Sequence, residues 1–328
     1  MLCILYVNLV GTCLALVGLL FERWLPATFP RRSLWSVIIP ISLILPGLYR
    51  AHHSWSVTQA FEQQQSLQPA LGNTIGTASL TLLDPRWWTR VQNYDTDINR
   101  LWLIVSGMLL LWALINAMRV SHLVSVSRRE QDLHVPSAID GVSVVVTDIA
   151  GPATVGFWRS RVVVPRWVLA LPGVQRKYVL RHEEEHRRAH DGRLLFAASL
   201  PLILMPWNLA MWWQLRRLVL AVEVDCDHRV VAALGDANAY GQLLLRVAEA
   251  ANRGPRLQPA FLGGSGMLER RLTELLARAP LRNVQKFLLP AAVLVLLLVV
   301  VWMPHPVLGH GSHEHTMKAG ASTSARQH

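Results

Sequence analysis

Four stretches of the chain contain no Asp, Glu, Lys or Arg: residues 1–21, 33–49, 101–118 and 287–304. A helix needs roughly 17–25 apolar residues to cross a bilayer, where lipid offers no partner for backbone N–H and C=O groups. The first, third and fourth stretches are good candidates by that measure. The second contains Pro40 and Pro46, which a spanning helix tolerates when a neighbouring helix covers the freed backbone groups. Only 16% of the 328 residues are charged, against about 25% in soluble domains. The 13 tryptophans lie mostly in or beside apolar runs, as rings suited to a membrane interface do. No Lys or Arg precedes the first stretch, so it is expected to be a retained span and not a cleaved signal peptide.

Charge then orients the spans. Arg23, Arg31 and Arg32 outweigh Glu22 between the first two stretches, which places that loop in the cytoplasm. The long loop 50–100 is poor in basic residues and is expected outside. Arg119, Arg128 and Arg129 follow the third stretch, and the basic region 119–286 is expected inside. The organisation predicted is an N-terminal membrane region (1–118) with three transmembrane helices, a cytoplasmic domain (119–286), a fourth transmembrane helix (287–304) and a His-rich flexible tail (305–328). The net charge of +11 therefore reflects membrane topology. No nucleic-acid recognition pattern accompanies it, and direct nucleic-acid binding is not expected. Cys3, Cys13 and Cys226 have no paired spacing and suggest neither a disulfide framework nor a cysteine zinc site.

Within 119–286, VSVVVT (142–147) and RVVVP (161–165) are β-branched runs bounded by turn residues, and they predict two short strands joined as an irregular hairpin. An exposed edge strand there could take up an extended peptide as a further strand. A helix is predicted from Gly173 to a break at Gly192. It contains His182, Glu183 and His186 in the order H-E-x-x-H. Positions i and i+4 lie on one helix face, so both imidazoles can reach one tetrahedral zinc. Glu183 is offset by about 100°, which suits a general base acting on the water that zinc activates. Glu184 and Glu185 are read as surface carboxylates. His190 would stretch three ligands over about 12 Å of helix, too far for bonds of about 2 Å.

A third ligand is better sought in VLAVEVDCDHRVVAAL (219–234). Glu223 and Asp227 are four apart on a predicted helix, so Glu223 can bind the metal while Asp227 accepts a hydrogen bond from a ligand histidine. Asp225 and Cys226 are expected to point away. Between the two motifs lies an uncharged run, 194–213. A full crossing there would put Glu223 on the other side of the bilayer from His182 and His186. A broken hairpin or a surface-lying segment is therefore predicted, with Pro201 and Pro206 as breakers. The stretch MLERRLTELLARAP (267–280), with Leu268, Leu272, Leu275 and Leu276, is read as an amphipathic helix that packs structurally or meets the membrane surface. His228 is a weak candidate for stabilising an oxyanion.

Three segments carry a family resemblance: PATVGFWRSRVVVP (152–165), HEEEHRRAHD (182–191) and EVDCD (223–227). With the arrangement of spans, they make the chain similar to the BlaR/MecR family of antirepressor membrane metallopeptidases. The resemblance implies a multi-pass α-helical protein of the bacterial inner membrane, with a cytoplasmic, mostly α-helical zincin-like domain containing a small β element. It implies zinc held by His182, His186 and Glu223, catalysis by Glu183, and supporting roles for Asp227 and Asp191. Asn208 falls near a family Asn-Pro element, in a different local order. Sensory relatives place a penicillin-binding domain after the fourth span; only 305–328 follow here, so β-lactam sensing is not expected. The implied activity is hydrolysis of a protein substrate, a small winged-helix repressor or the chain itself. Membrane quality-control or processing proteolysis, and a non-catalytic scaffold with structural zinc, are the competing readings.

Overall fold

The computed structural model describes residues 2–25, 29–48, 95–131, 138–147, 151–156, 160–251 and 265–276. The outer loop apart from its last residues, most of the connector 251–266, the fourth apolar stretch and the His-rich tail fall outside these residues.

The architecture is mostly helical, with one small sheet. Helix α1 spans Leu2–Trp24, α2 covers 31–48 and α3 spans Asp95–Gln131. Strands β1 (Ala138–Ile139), β2 (Val142–Thr147), β3 (Ala153–Val155) and β4 (Arg161–Pro165) follow. Then come a single turn α4 (Arg166–Leu169), α5 (Gly173–Ala189), α6 (Asp191–Leu204), α7 (Leu209–Leu234), α8 (Ala237–Ala251) and α9 (Ser265–Leu276).

The two predicted strands form at β2 and β4, but not as a hairpin. They pair in parallel, with Val144 opposite Val162 and Val146 opposite Val164. Strand β3 lies antiparallel on the far side of β4, and the order is β1-β2-β4-β3. A parallel pair needs a crossover and not a tight turn, so the intervening segment supplies an extra strand.

Two apolar cores meet along α7. One joins α1, α2, α6 and α7 through Val10, Leu14, Trp35, Ile39, Leu202, Met211 and Leu218. Gly18 lets α2 approach α1 closely, since a Cβ there would stand 2.6 Å from Ile38 Cδ1 and 2.9 Å from the Trp35 ring. Gln214 of α7 donates both to the Gly11 carbonyl at 2.9 Å and to Ser42 Oγ at 3.0 Å, which ties the three helices with a polar clasp. The other core joins the sheet to α5, α7, α8 and α9 through Val162, Val164, Leu180, Val230 and Leu243.

The apolar run 194–213 is a broken helical hairpin. Helix α6 ends at Met205, and Asn208 caps α7 by accepting the Met211 N–H at 3.1 Å. Pro206 lies in the turn, but Pro201 sits inside α6 and does not break it. The other expected break also moves. Helix α5 ends at His190, whose φ of 56° is left-handed, while Gly192 lies within α6. The reversal begins there because the His190 N–H bonds back to the Arg187 carbonyl.

Among the described residues, two helices are long and apolar enough to cross a membrane, at Ile4–Trp24 and Asp97–Arg119. In the second no residue of the apolar window is buried by protein. Leu101, Leu103, Met108, Leu111 and Met118 all stand exposed around it, the expected pattern for a helix whose solvent is lipid.

Candidate metal centre

The centre is assembled on α5 and α7, which cross so that HEEEH faces EVDCD. The single-turn offset of His182 and His186 puts both rings on the inner face of α5. Their Nε2 atoms approach to 3.1 Å. Glu223 of α7 completes a triangle: Oε2 lies 3.6 Å from His182 Nε2, and Oε1 lies 3.7 Å from His186 Nε2.

The outer nitrogens of both rings are committed. His186 Nδ1 faces Asp191 Oδ2 at 2.8 Å. His182 Nδ1 faces the Tyr240 hydroxyl at 2.9 Å, and Tyr240 donates its proton to Asp227 Oδ1 at 2.7 Å. This network assigns the proton of each neutral ring to Nδ1, so both Nε2 lone pairs converge on one point. Two lone pairs 3.1 Å apart repel unless a proton or a metal ion lies between them. Zinc bonds of about 2.0–2.2 Å in a tetrahedron put donor atoms roughly 3.3–3.6 Å apart. The separations of 3.1, 3.6 and 3.7 Å among the two nitrogens and the carboxylate fall within about 0.2 Å of that range, and the donor set fits zinc.

Arg271 of α9 is the balancing charge. Its Nη1 lies 2.8 Å from Glu223 Oε2, while Nε and Nη2 grip Asp227 at 2.8 and 2.6 Å. Burial alone would raise the Glu223 carboxyl, but Arg271 and the two imidazoles hold it far below the usual carboxylate range. Burial, with Asp227 beside it, pushes the Tyr240 phenol well above its ordinary value, so it remains a donor.

Glu183 is 6% exposed and faces β3. Thr154 Oγ1 donates to its carbonyl at 2.7 Å and approaches its Oε2 at 3.3 Å. Glu184 and Glu185 are not surface groups as expected; they are buried, and arginines compensate them. Glu184 takes Arg187 and Arg188, while Glu185 takes Arg181 and, from α7, Arg229. The outward turns of a helix lying on another helix are not all wet.

Cys226 is the clearest reversal. Expected to point away, it is fully buried with Sγ 3.4 Å from His182 Nδ1. It lies three residues after Glu223, and i and i+3 share a face. His182, His186 and Cys226 together could hold a metal ion, since each offers a ligand atom within 4.8 Å of the others. Asp227, expected to accept directly from a ligand histidine, stands 3.5 Å from His182 Nδ1 and acts through Tyr240. Asp225 does point away, toward the start of α2. His190 is exposed and bonded to its own helix, and His228 makes no polar contact with the centre among the described residues.

Tyr240 and Arg271 were missed by sequence reasoning, although both leave a signal. Tyr240, Leu243, Leu244 and Val247 have the i, i+3, i+4, i+7 spacing of an amphipathic helix, and Asp236 caps it at the Ala239 N–H. Arg271 occupies the same stripe as Leu268, Leu272 and Leu275, which makes it a basic residue on an apolar face. That face packs inward, so α9 is a structural helix there. Replacing Tyr240 by Phe should remove the bridge between His182 and Asp227 and weaken zinc binding about 10–100-fold, as other outer partners of metal ligands do. Chelator competition checks this, and unchanged affinity would discount the bridge.

A helical fold with a small sheet and a part-buried His-His-carboxylate centre defines a candidate metallohydrolase. Residues 1–275 match the family described as BlaR1 peptidase M56, and the chain belongs to that family. No curated protein matches the chain.

Proposed function

We propose that the chain is a membrane-bound zinc metalloendopeptidase that cleaves a cytoplasmic protein, a transcriptional repressor by family analogy, and itself where a loop reaches the centre. His182, His186 and Glu223 hold the metal. The observation that carries this reading is the convergence of both Nε2 atoms and the Glu223 carboxylate on one point. Cys226 is the less suitable third donor. It lies 3.4 Å from Nδ1 of His182, the nitrogen already bonded to Tyr240, whereas the Glu223 carboxylate faces the Nε2 atoms of both rings.

Zinc held there by His182, His186 and Glu223 would supply Lewis acidity toward the scissile carbonyl and would lower the pKa of a water molecule. Glu183 takes the proton of the attacking water and passes it to the leaving amine. Asp191, and Asp227 through Tyr240, keep the two rings in the tautomer that presents Nε2. Strand β3 supports a peptide substrate. It is a sheet edge among the described residues, and its Thr154 touches Glu183, so an extended chain added along β3 would run past the general base.

The membrane arrangement we propose is four spans with the centre at the cytoplasmic face. The domain limits are 1–118, 119–286 and 287–304, the hairpin 194–213 is membrane-associated, and 305–328 lie outside. The inner membrane of a bacterium is the setting. The two apolar helices and the exposed α3 surface support it.

The test is reconstitution of the full chain in lipid with candidate repressors. Cleavage should stop when zinc is stripped by chelator and return on readdition. Cleavage indifferent to chelation would remove the metallopeptidase reading. Zinc uptake without cleavage of any repressor, but with cleavage of unfolded membrane proteins, would favour quality control. Uptake with no cleavage at all would favour a structural zinc.

A further inference from the structure

Two consecutive residues at the start of α2 touch Asp191, just beyond the histidine helix, and the two helices that carry Glu223 and Arg271. Arg32 Nη1 lies 2.7 Å from Asp191 Oδ1, and the other oxygen of that carboxylate takes His186 Nδ1 at 2.8 Å. The backbone N–H groups of Arg31 and Arg32 donate to Asp225 Oδ1 and Oδ2 at 3.2 and 3.0 Å. Asp225 stands two residues after Glu223 on α7. Arg31 Nη1 pairs at 2.8 Å with Glu274, which follows Arg271 by three residues on α9.

The first N–H groups of a helix have no partner within it and attract negative charge. Asp225 satisfies two of them from another helix, so it locks the start of α2 to α7. Asp191 is 2% exposed and needs its cation. Arg229 also faces it, but at 3.7 Å it is out of hydrogen-bond range. Helix α2 is in turn packed against α1 through Trp35, Ile38 and the close approach at Gly18.

We infer that Arg32 is a positioning residue for His186, acting through Asp191, and that the first turn of α2 carries displacement of the α1–α2 pair to the metal centre. This rests on His186 being a metal ligand. A hydrogen bond of 2.7 Å is lost after a shift of about 1 Å. A small movement of α2 against α7 therefore releases Asp191 and with it the ring of His186. The same movement pulls on α7 through Asp225 and on α9 through Glu274.

The experiment is Co(II) titration of the full chain in lipid nanodiscs, read by the visible ligand-field bands and by chelator competition. Arg32→Ala should weaken Co(II) binding about 10-fold or more and change the bands, and Arg32→Lys should restore most of both. Asp191→Asn should match Arg32→Ala, and the double variant should be no worse than the weaker single, because both act on one contact. Asp225→Asn, isosteric and remote from the metal, should also weaken binding. It keeps the test available if Arg32→Ala does not fold. Wild-type affinity and bands in Arg32→Ala, or fully additive losses in the double variant, would overturn the inference while leaving the metal reading intact. Wild-type protein that takes up no Co(II), or takes it up equally after His186→Ala, would overturn both.

Discussion

Glu183→Gln should lower peptide cleavage by about 10²–10⁴-fold, the usual contribution of a positioned general base, with zinc content unchanged. Gln keeps the shape and can keep the contact with Thr154 Oγ1, but it cannot accept the proton of the attacking water. Glu183 is not among the side chains whose donor atoms converge between α5 and α7, so the proposed ligand set survives. Single-turnover cleavage measured beside metal analysis separates the two effects. Cleavage within threefold of wild type would remove Glu183 from the mechanism, and loss of zinc would recast it as a ligand or a support of the fold.

Arg271→Ala should cost about 3–5 kcal/mol of stability, the range for breaking a buried ion pair from one side. Arg271 forks onto Asp227 and reaches Glu223. Without it two carboxylates remain, Asp227 1% and Glu223 16% exposed at the side chain. Helix α9 would lose its polar anchor to α7 and keep only Leu268, Leu272 and Leu275. Zinc should reduce the loss, because a second cation then faces Glu223. Arg271→Lys should fall between, since an ammonium keeps the charge but not the planar fork. Denaturant unfolding in detergent, with and without zinc, checks these outcomes. A cost below about 1 kcal/mol, the scale of a surface pair, would show that the carboxylates are compensated elsewhere.

The contrast between Glu223 and Cys226 shows how far local geometry reaches. Both Glu223 and Asp227 were placed on one face by their spacing, and both lie on that face. Cys226 was assigned elsewhere, although three residues turn a helix by only about 60° short of a full revolution. The buried Glu184 and Glu185 failed for another reason. Their exposure depends on α7 lying across α5, and Arg229, which covers Glu185, is 44 residues away in the chain. The strand pair had correct limits and the wrong pairing, because β propensity speaks to extended backbone and not to partner or direction.

The run 194–213 was read by exclusion. One metal centre cannot have ligands on both sides of a bilayer, so the run had to turn back, and it does so at Met205–Asn208. A shared metal centre requires that the run turn back, but it does not determine which residue makes the break. Proline is tolerated within a helix when its neighbours absorb the lost hydrogen bond, as at Pro201.

What the sequence determined by itself is whatever one helix or strand decides alone: the shared face of His182 and His186, the shared face of Glu223 and Asp227, and the extended runs at β2 and β4. These follow from fixed backbone repeats of 3.6 and 2 residues. What tertiary structure decided is which of those faces meet and which groups surround them. Tyr240 lies 58 residues from His182, and Arg32 lies 159 residues from Asp191. Contacts over such separations are set by packing of the two cores along α7, and no local repeat encodes them.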